Sequence, residues 1–452
     1  MIQMVINAFK VKDIRKKLIF TLFMLIVIRI GCTIPVPGVN TDFFSDLIKK
    51  LTENASSDGK GAVEGAFGWL SSMTGGSFEQ MSIFALSITP YITSSIIMEL
   101  LTIAIPPLEE IQKEGTEGRK KIAEYTRYVT VILALLESSA MAIGFNGSGF
   151  FKEGNSASVF TIIVAIFAMT AGSAFLMWAG ERITESGIGN GISIVLLFNI
   201  LSSLPQDFGI LYEQFMNGKT TTVQIIYAIV IGIIIVGIIA VCVILEDARR
   251  DIPVQYASRI AGRTSVGNGA SVIPLKVNTA GVIPVIFASS IMSLPQILIQ
   301  FLNIDRNSAF GYISSFLNSG SWFRPEYPHF SFGVAIYIFL VIFFAYFYTS
   351  ITFNPNEVAS NLKKDGGFIP GIRPGKETAD YLSRILNYII FIGAVGLCIV
   401  ALIPVIISGV FNIARISFAG TSLLIVVGVT LETLEQLKSQ LVVRNYKGFL
   451  SE

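Results

Sequence analysis

From Ala62 to Leu101 the chain reads AVEGAFGWLSSMTGGSFEQMSIFALSITPYITSSIIMELL. Up to Gln80 this stretch is too apolar for an ordinary solvated loop, carrying Phe67, Trp69, Leu70, Met73 and Phe78. It is also too short and too rich in Gly and Ser to cross a bilayer, which takes about 20 mostly apolar residues. Irregular backbone at membrane depth survives only where protein or a water-filled cavity covers it. From Met81 to Leu101 the apolar run is long enough to span. Pro90 interrupts it, and Ile88 and Ile92 fall four apart on one helical face. Two readings fit: a re-entrant plug followed by a helix lining a constriction, or a polar-rimmed surface loop before a Pro-kinked membrane helix.

The composition places the whole chain in a bilayer. Of 452 residues, 52% are hydrophobic and only 14% charged, against about 25% charged in soluble domains; mean hydropathy is +0.67. Cys32, Cys242 and Cys398 lie far apart in apolar runs, which makes neither a disulfide framework nor a metal cluster. His329 is the only histidine and falls in a polar connection, which argues against a His-based metal site or a Ser-His-Asp triad. The start, MIQMVINAFKVKDIRKKLIF, resembles a signal peptide, yet no small-x-small site follows and Arg29 interrupts the apolar run. It reads as a retained first span.

Ten spans are expected: Leu18–Ile34, Met81–Ile105, Tyr128–Phe145, Ser158–Ala179, Ile188–Leu204, Val223–Leu245, Thr279–Leu302, Phe332–Phe353, Leu386–Val410 and Ile416–Leu434. With the amino terminus inside, the inner segments hold 24 of the 33 Lys and Arg residues and the outer ones 8. That excess puts both termini in the cytoplasm. Five spans on each side of Asn217–Thr222 permit an inverted repeat, because an odd number per half reverses its topology. The sequence shows no self-similarity that would detect one.

Motifs for chemistry are missing. No GxxxxGK[ST] loop is present, so the chain has no visible means of using ATP. Gly187-Ile-Gly-Asn-Gly191 lacks the spacing and the strand of a dinucleotide fingerprint, and reads as a close-packed start to the fifth span. Arg29, Glu99 and Glu137 are the clearest charged residues inside spans, Arg29 and Glu99 near span ends. A charge at a helix centre costs about 2.5–3.5 kcal/mol on insertion scales and marks ion-coupled transport when clustered. These three are scattered, which favours end-snorkelling or helix-to-helix pairing.

Two inner loops are unusual. Ile252–Lys276 carries Arg259, Arg263 and Lys276 without a carboxylate, and Asn354–Arg384 contains GGFIPGIRPG from Gly366 to Gly375. Pro374 biases Arg373 toward an extended conformation and the glycines permit sharp turns, so the arginine should stand out from a shaped tip. Such a tip suits bidentate pairing with carboxylate or phosphate. A loop basic only because it faces inward is the alternative.

At these residues the chain resembles the SecY family, the channel-forming subunits of bacterial protein translocases. The resemblance rests on Arg29-Ile-Gly, Ile34-Pro-Val-Pro-Gly38, Ser82-Ile-Phe-Ala-Leu, Pro90-Tyr-Ile, Glu124-Tyr-Thr-Arg-Tyr128, Gly187-Ile-Gly-Asn-Gly-Ile-Ser193, Leu275-Lys-Val-Asn278, Ala280-Gly-Val-Ile-Pro284, Phe353-Asn-Pro355, Gly371-Ile-Arg-Pro-Gly375 and Gly420-Thr-Ser-Leu-Leu-Ile425. It covers essentially the whole chain in order. It implies an all-α membrane protein of ten transmembrane helices in two pseudo-symmetric inverted halves, residues 1–215 and 216–452, with a re-entrant plug within about 67–80. The expected function is passage of secretory polypeptides across the membrane and sideways release of membrane segments.

Carried over position by position, the pore ring would be Ile88, Ile92, Ile192, Leu196, Ile286 and Ile425, with Leu196 where isoleucine is common in the family. The sideways gate would form between the second span and the seventh and eighth. Arg259, Arg263 and Arg373, on loops 246–276 and 354–384, would dock the SecA motor or the ribosome. SecE and SecG would be membrane partners, the location a bacterial inner membrane, and no cofactor or catalytic residue is expected. A secondary transporter of a small substrate with broken helices is the rival class; an intramembrane hydrolase would need a nucleophile and base that the sequence does not offer.

Overall fold

The computed structural model describes residues 8–42, 74–146, 149–152, 158–215, 220–256, 259–261, 264–266, 271–301, 313, 316–317, 322, 331–411 and 422–448. Apolar runs set its helices. In chain order these are α1 (Lys12–Cys32), α2 (Thr89–Ala104), α3 (Pro106–Lys113), α4 (Thr116–Gly144), α5 (Val159–Ser186), α6 (Gly191–Phe215), α7 (Thr221–Asp247), α8 (Ile283–Phe301), α9 (Phe332–Thr352), α10 (Pro355–Lys364), α11 (Lys376–Phe411) and α12 (Ser422–Gly448). Among the described residues five helices, α4, α5, α7, α9 and α11, are long and apolar enough to cross a membrane. A sixth span results if α2 and α3, bent by 101° at Ile105, count together. The bend has a local cause: Pro106 forces Ile105 into an extended conformation, φ −114° and ψ 107°. This is a multi-pass membrane protein.

Outward faces are apolar, as lipid demands. Along α7, Ile225, Ile226, Ile229, Ile233, Val236 and Ile244 are all exposed, a surface no soluble monomer would present. Inward faces use small residues, because without a hydrophobic drive between helices close packing and hydrogen bonds must hold them. On α4 every fourth residue, Thr126, Thr130, Ala134, Ser138 and Ala142, is buried. This stripe seats α2, whose Ser94 hydroxyl donates to the Thr126 carbonyl at 2.7 Å. It also seats α5, where the Ser138 and Thr170 hydroxyls lie 3.0 Å apart.

Ahead of α2, residues 75–88 are turns rather than helix and are mostly buried, with Gln80 exposed. The expected span from Met81 is therefore corrected: the helix begins at Thr89, and Met81 and Ser87 both hold positive φ, 47° and 51°. Pro90 falls in the first turn of α2, where its missing N–H costs nothing, and does not interrupt a helix. The segment satisfies its backbone against the end of α1. Val36 N–H donates to Met81 O and Ile83 N–H to Ile34 O, each at 2.9 Å. Phe78, Met81, Phe145 and Phe150 close an apolar cluster beside it.

The two basic connections carry short strands, with residues 369–375 left as an irregular tip. Their residues form β1 (Arg249–Tyr256), β2 (Arg259–Ala261), β3 (Thr264–Val266), β4 (Ser271–Lys276) and β5 (Gly367–Phe368). β1 pairs antiparallel with β4, Arg249 opposite Lys276 through Val254 opposite Ser271. Its far end pairs with β5, so one sheet, β4-β1-β5, joins the two segments; β2 and β3 make a separate hairpin. Ile252, Val254, Leu275, Leu362, Ile369 and Leu382 give this layer its own core. With 36 residues α11 runs about 54 Å at about 1.5 Å per residue. A hydrocarbon core is about 30 Å thick, so the amino-terminal turns of α11, with Leu382, extend into the sheet layer.

Candidate functional site

Six branched side chains from distant stretches of the sequence belong to one large apolar cluster that draws on most of the long helices. Ile88, Leu196 and Ile425 are buried in it, and Ile92, Ile192 and Ile286 pack half-buried against it. Ile88 and Ile92 come from the start of α2, Ile192 and Leu196 from α6, Ile286 from α8 and Ile425 from α12. Ile88 caps α2 rather than lying within it, yet Ile92 N–H donates to Ile88 O at 3.1 Å, which keeps the two a turn apart.

The start of α6 is fixed by glycine. A Cβ on Gly191 would stand 1.9 Å from the Gly180 carbonyl oxygen, so only a bare backbone lets α6 begin against α5 and present Ile192. Gly189 turns the chain with φ +80°, and Ile188 N–H donates to the Thr21 hydroxyl at 3.3 Å. This is the close-packed start that the glycine run suggests. α12 packs on both α6 and α7, while α8 lies against α2, α4 and α9.

Next to the cluster is a polar group that the sequence reading did not assemble. The Arg29 guanidinium donates to Gly75 O at 3.0 Å and to the Ser202 hydroxyl at 3.2 Å. The Asn199 amide donates to the Ser87 hydroxyl at 3.2 Å. Arg29 thus pairs with another helix, one of the two roles expected for it. The usable signal was an arginine in an apolar run, which requires acceptors, but nothing local names Gly75 or Ser202. On α2, Glu99 keeps one buried carboxylate oxygen without a partner among the described residues.

Of the plug residues, Phe67, Trp69, Leu70 and Met73 lie outside the described residues, and Phe78 is buried in the cluster under residues 74–88. Arg373 is exposed at a tip bracketed by Gly371 (φ +84°) and Gly375 (φ +111°), with its carbonyl accepting from the Thr378 hydroxyl at 2.8 Å. Arg259 opens β2 opposite Val266, and Arg263 lies outside the described residues. No group of His, Cys, Asp and Glu among the described residues could hold a metal.

The SecY family model matches residues 82–434. The chain belongs to the SecY family. Protein translocase subunit SecY of Streptomyces coelicolor is 42% identical over 454 residues, covering 98% of both chains. That of Bacillus subtilis is 41% identical over the full length of both. A solved protein-conducting channel superposes with a TM-score of 0.63 at 18% identity, covering 95% of this chain and 93% of the other. Sec61 from a canine ribosome–channel complex superposes with a TM-score of 0.57 at 18% identity, covering 95% and 93%. As a member of the SecY family the chain is the protein-conducting, channel-forming subunit of a translocase, not an enzyme.

Proposed function

We propose that this SecY-family channel is closed by the ring of Ile88, Ile92, Ile192, Leu196, Ile286 and Ile425. The observation that carries this is that all six, from four separate elements, belong to one apolar cluster, with Ile88, Leu196 and Ile425 buried in it. Branched apolar side chains shut a pore to ions by dewetting, and bind no particular side chain strongly. Both properties suit a conduit for unrelated polypeptides. Residues 67–80 form the plug, entering from the outer face.

Two five-helix halves, 1–215 and 216–452, make up ten spans, with both termini cytoplasmic in a bacterial inner membrane. The threefold Lys and Arg excess supports that orientation. Contacts of α8 with α2 and α4 support a seam between the halves, where α2, α8 and α9 part to release membrane segments sideways.

Drive comes from outside the chain, through the cytosolic connections that carry Arg259, Arg263 and Arg373. SecA or the ribosome docks there, with SecE and SecG beside the channel in the membrane; related Sec61 and Ssh1 channels have been solved in ribosome complexes. β4 supports a transmission role because it leads through the turn at 277–282 into α8, which carries Ile286. Lys276 at its end pairs with Glu435 on α12, which carries Ile425. Replacing Ile88 and Ile92 together by Gly tests the ring. In planar bilayers the idle variant should conduct ions where the parent is tight; a tight, correctly inserted variant refutes the ring.

A further inference from the structure

Arg29 lies in the last turn of the apolar helix α1. An arginine cannot shed its charge, and at this depth it needs acceptors. Nη1 finds two, Gly75 O and Ser202 Oγ. Ser202 Oγ in turn lies 3.5 Å from the same Gly75 carbonyl and 2.8 Å from Asn199 O. One cation thereby joins α1, the start of residues 74–88, and α6.

Gly75 fits there only because it is bare. Its φ is +63°, and a Cβ would stand 2.7 Å from Ser202 Oγ and 3.1 Å from the Asn199 backbone. At the far end of the segment Ser87 holds a left-handed φ of 51°, a strained conformation that persists only where surroundings impose it. Asn199 grips its hydroxyl and the Ser173 hydroxyl donates to its carbonyl, both at 3.2 Å. The next residue is Ile88. Asn199 is three residues beyond Leu196 on α6, so the same turn of α6 carries a ring side chain and the grip on Ser87.

We infer that Arg29 is a positioning residue for the closed channel: by clamping Gly75 to α6 it holds residues 74–88 in the strained form that sets Ile88 into the apolar cluster. The inference rests on the ring reading above. Removing the clamp lets the segment relax, drawing Ile88 out and biasing the idle channel toward opening.

The test uses the full chain with its membrane partners in planar bilayers, read as idle conductance, with insertion and thermal midpoint followed alongside. Arg29→Gln should raise idle conductance about tenfold, the population shift expected from losing one charge-assisted bond. Arg29→Lys, which keeps a donor, should fall between it and the parent. Ser202→Ala should raise conductance less, and adding it to Arg29→Gln should add little, because the two share one interaction. A general packing defect would lower the thermal midpoint without this ordering. If Arg29→Gln fails to insert, Gly75→Ala decides, since it pushes the segment off α6 without touching the charge. Arg29→Gln or Gly75→Ala at the parent's conductance, with the Ile88→Gly/Ile92→Gly channel leaking, overturns the Arg29 role and leaves the ring standing. A tight Ile88→Gly/Ile92→Gly channel overturns the ring itself.

Discussion

Residues 75–88 and the sheet layer are both non-helical, and they are held in opposite ways. The sheet layer carries its own ladder of backbone hydrogen bonds, from Arg249–Lys276 to Val254–Ser271, over a core centred on Ile252, Leu275 and Leu382. Residues 75–88 have no continuous ladder. They hang on single bonds to Val36, Ile34, Arg29, Asn199 and Ser173, with Phe78, Met81, Ala85 and Leu86 in one apolar cluster and Phe84 and Ile88 in another. A body with a ladder and a core moves as a unit and transmits force, whereas a segment held by separate bonds can be released step by step. The first arrangement suits a docking platform, and the second a closure that must yield.

Core truncations break the comparison most severely. Phe150, fully buried and edge-on to Phe151 with ring centres 4.8 Å apart, anchors the cluster beside residues 74–88. Phe150→Ala should cost about 3–5 kcal/mol locally and expose a cysteine placed at Ser77 to alkylation, with the sheet layer still resistant to protease. Leu382→Ala should cost about 2–5 kcal/mol and do the reverse, opening residues 249–276 to protease while Ser77 stays protected. Equal loosening of both regions by either variant would show that they are one cooperative body.

A change at the tip sharpens the comparison without unfolding anything. Arg373→Glu reverses a charge on an exposed residue, so the thermal midpoint should hold while motor-driven translocation into vesicles falls severalfold, as loss of a docking contact predicts. Unchanged translocation would remove Arg373 from the docking surface. The smallest effect belongs to Lys276→Gln. Its pairing with Glu435 is half-exposed, and such pairs contribute about 0–1 kcal/mol, so stability should barely move. Translocation falling further than stability would then identify the pair as a link from sheet to α12.

Much of the membrane part was legible because lipid imposes a coarse rule: apolar runs become helices. The glycines at 187–191 and the bracketed Arg373 were also legible, since each follows from what a bare or Pro-restricted backbone can do locally. Hydropathy reports burial and not conformation, which is why Met81–Ile88 read as helix although Met81 and Ser87 turn the chain. The sheet was hidden for another reason. β5 is two residues long and pairs with Gln255 and Tyr256, more than a hundred positions away, leaving no periodic signal. Arg29 was visible as an anomaly, but its acceptors lie on a turn and a helix far along the chain.

The central claim is that polypeptide passes through the ring. A translocating chain stalled with a single cysteine at its midpoint, presented to channels with one cysteine at Ile92, Ile192, Ile286 or Ile425, tests it directly. Disulfides should form at all four positions from the same substrate residue and at none of the lipid-facing controls, Phe167 or Ile233. Disulfides at a control position, with none at the ring, would contradict the account.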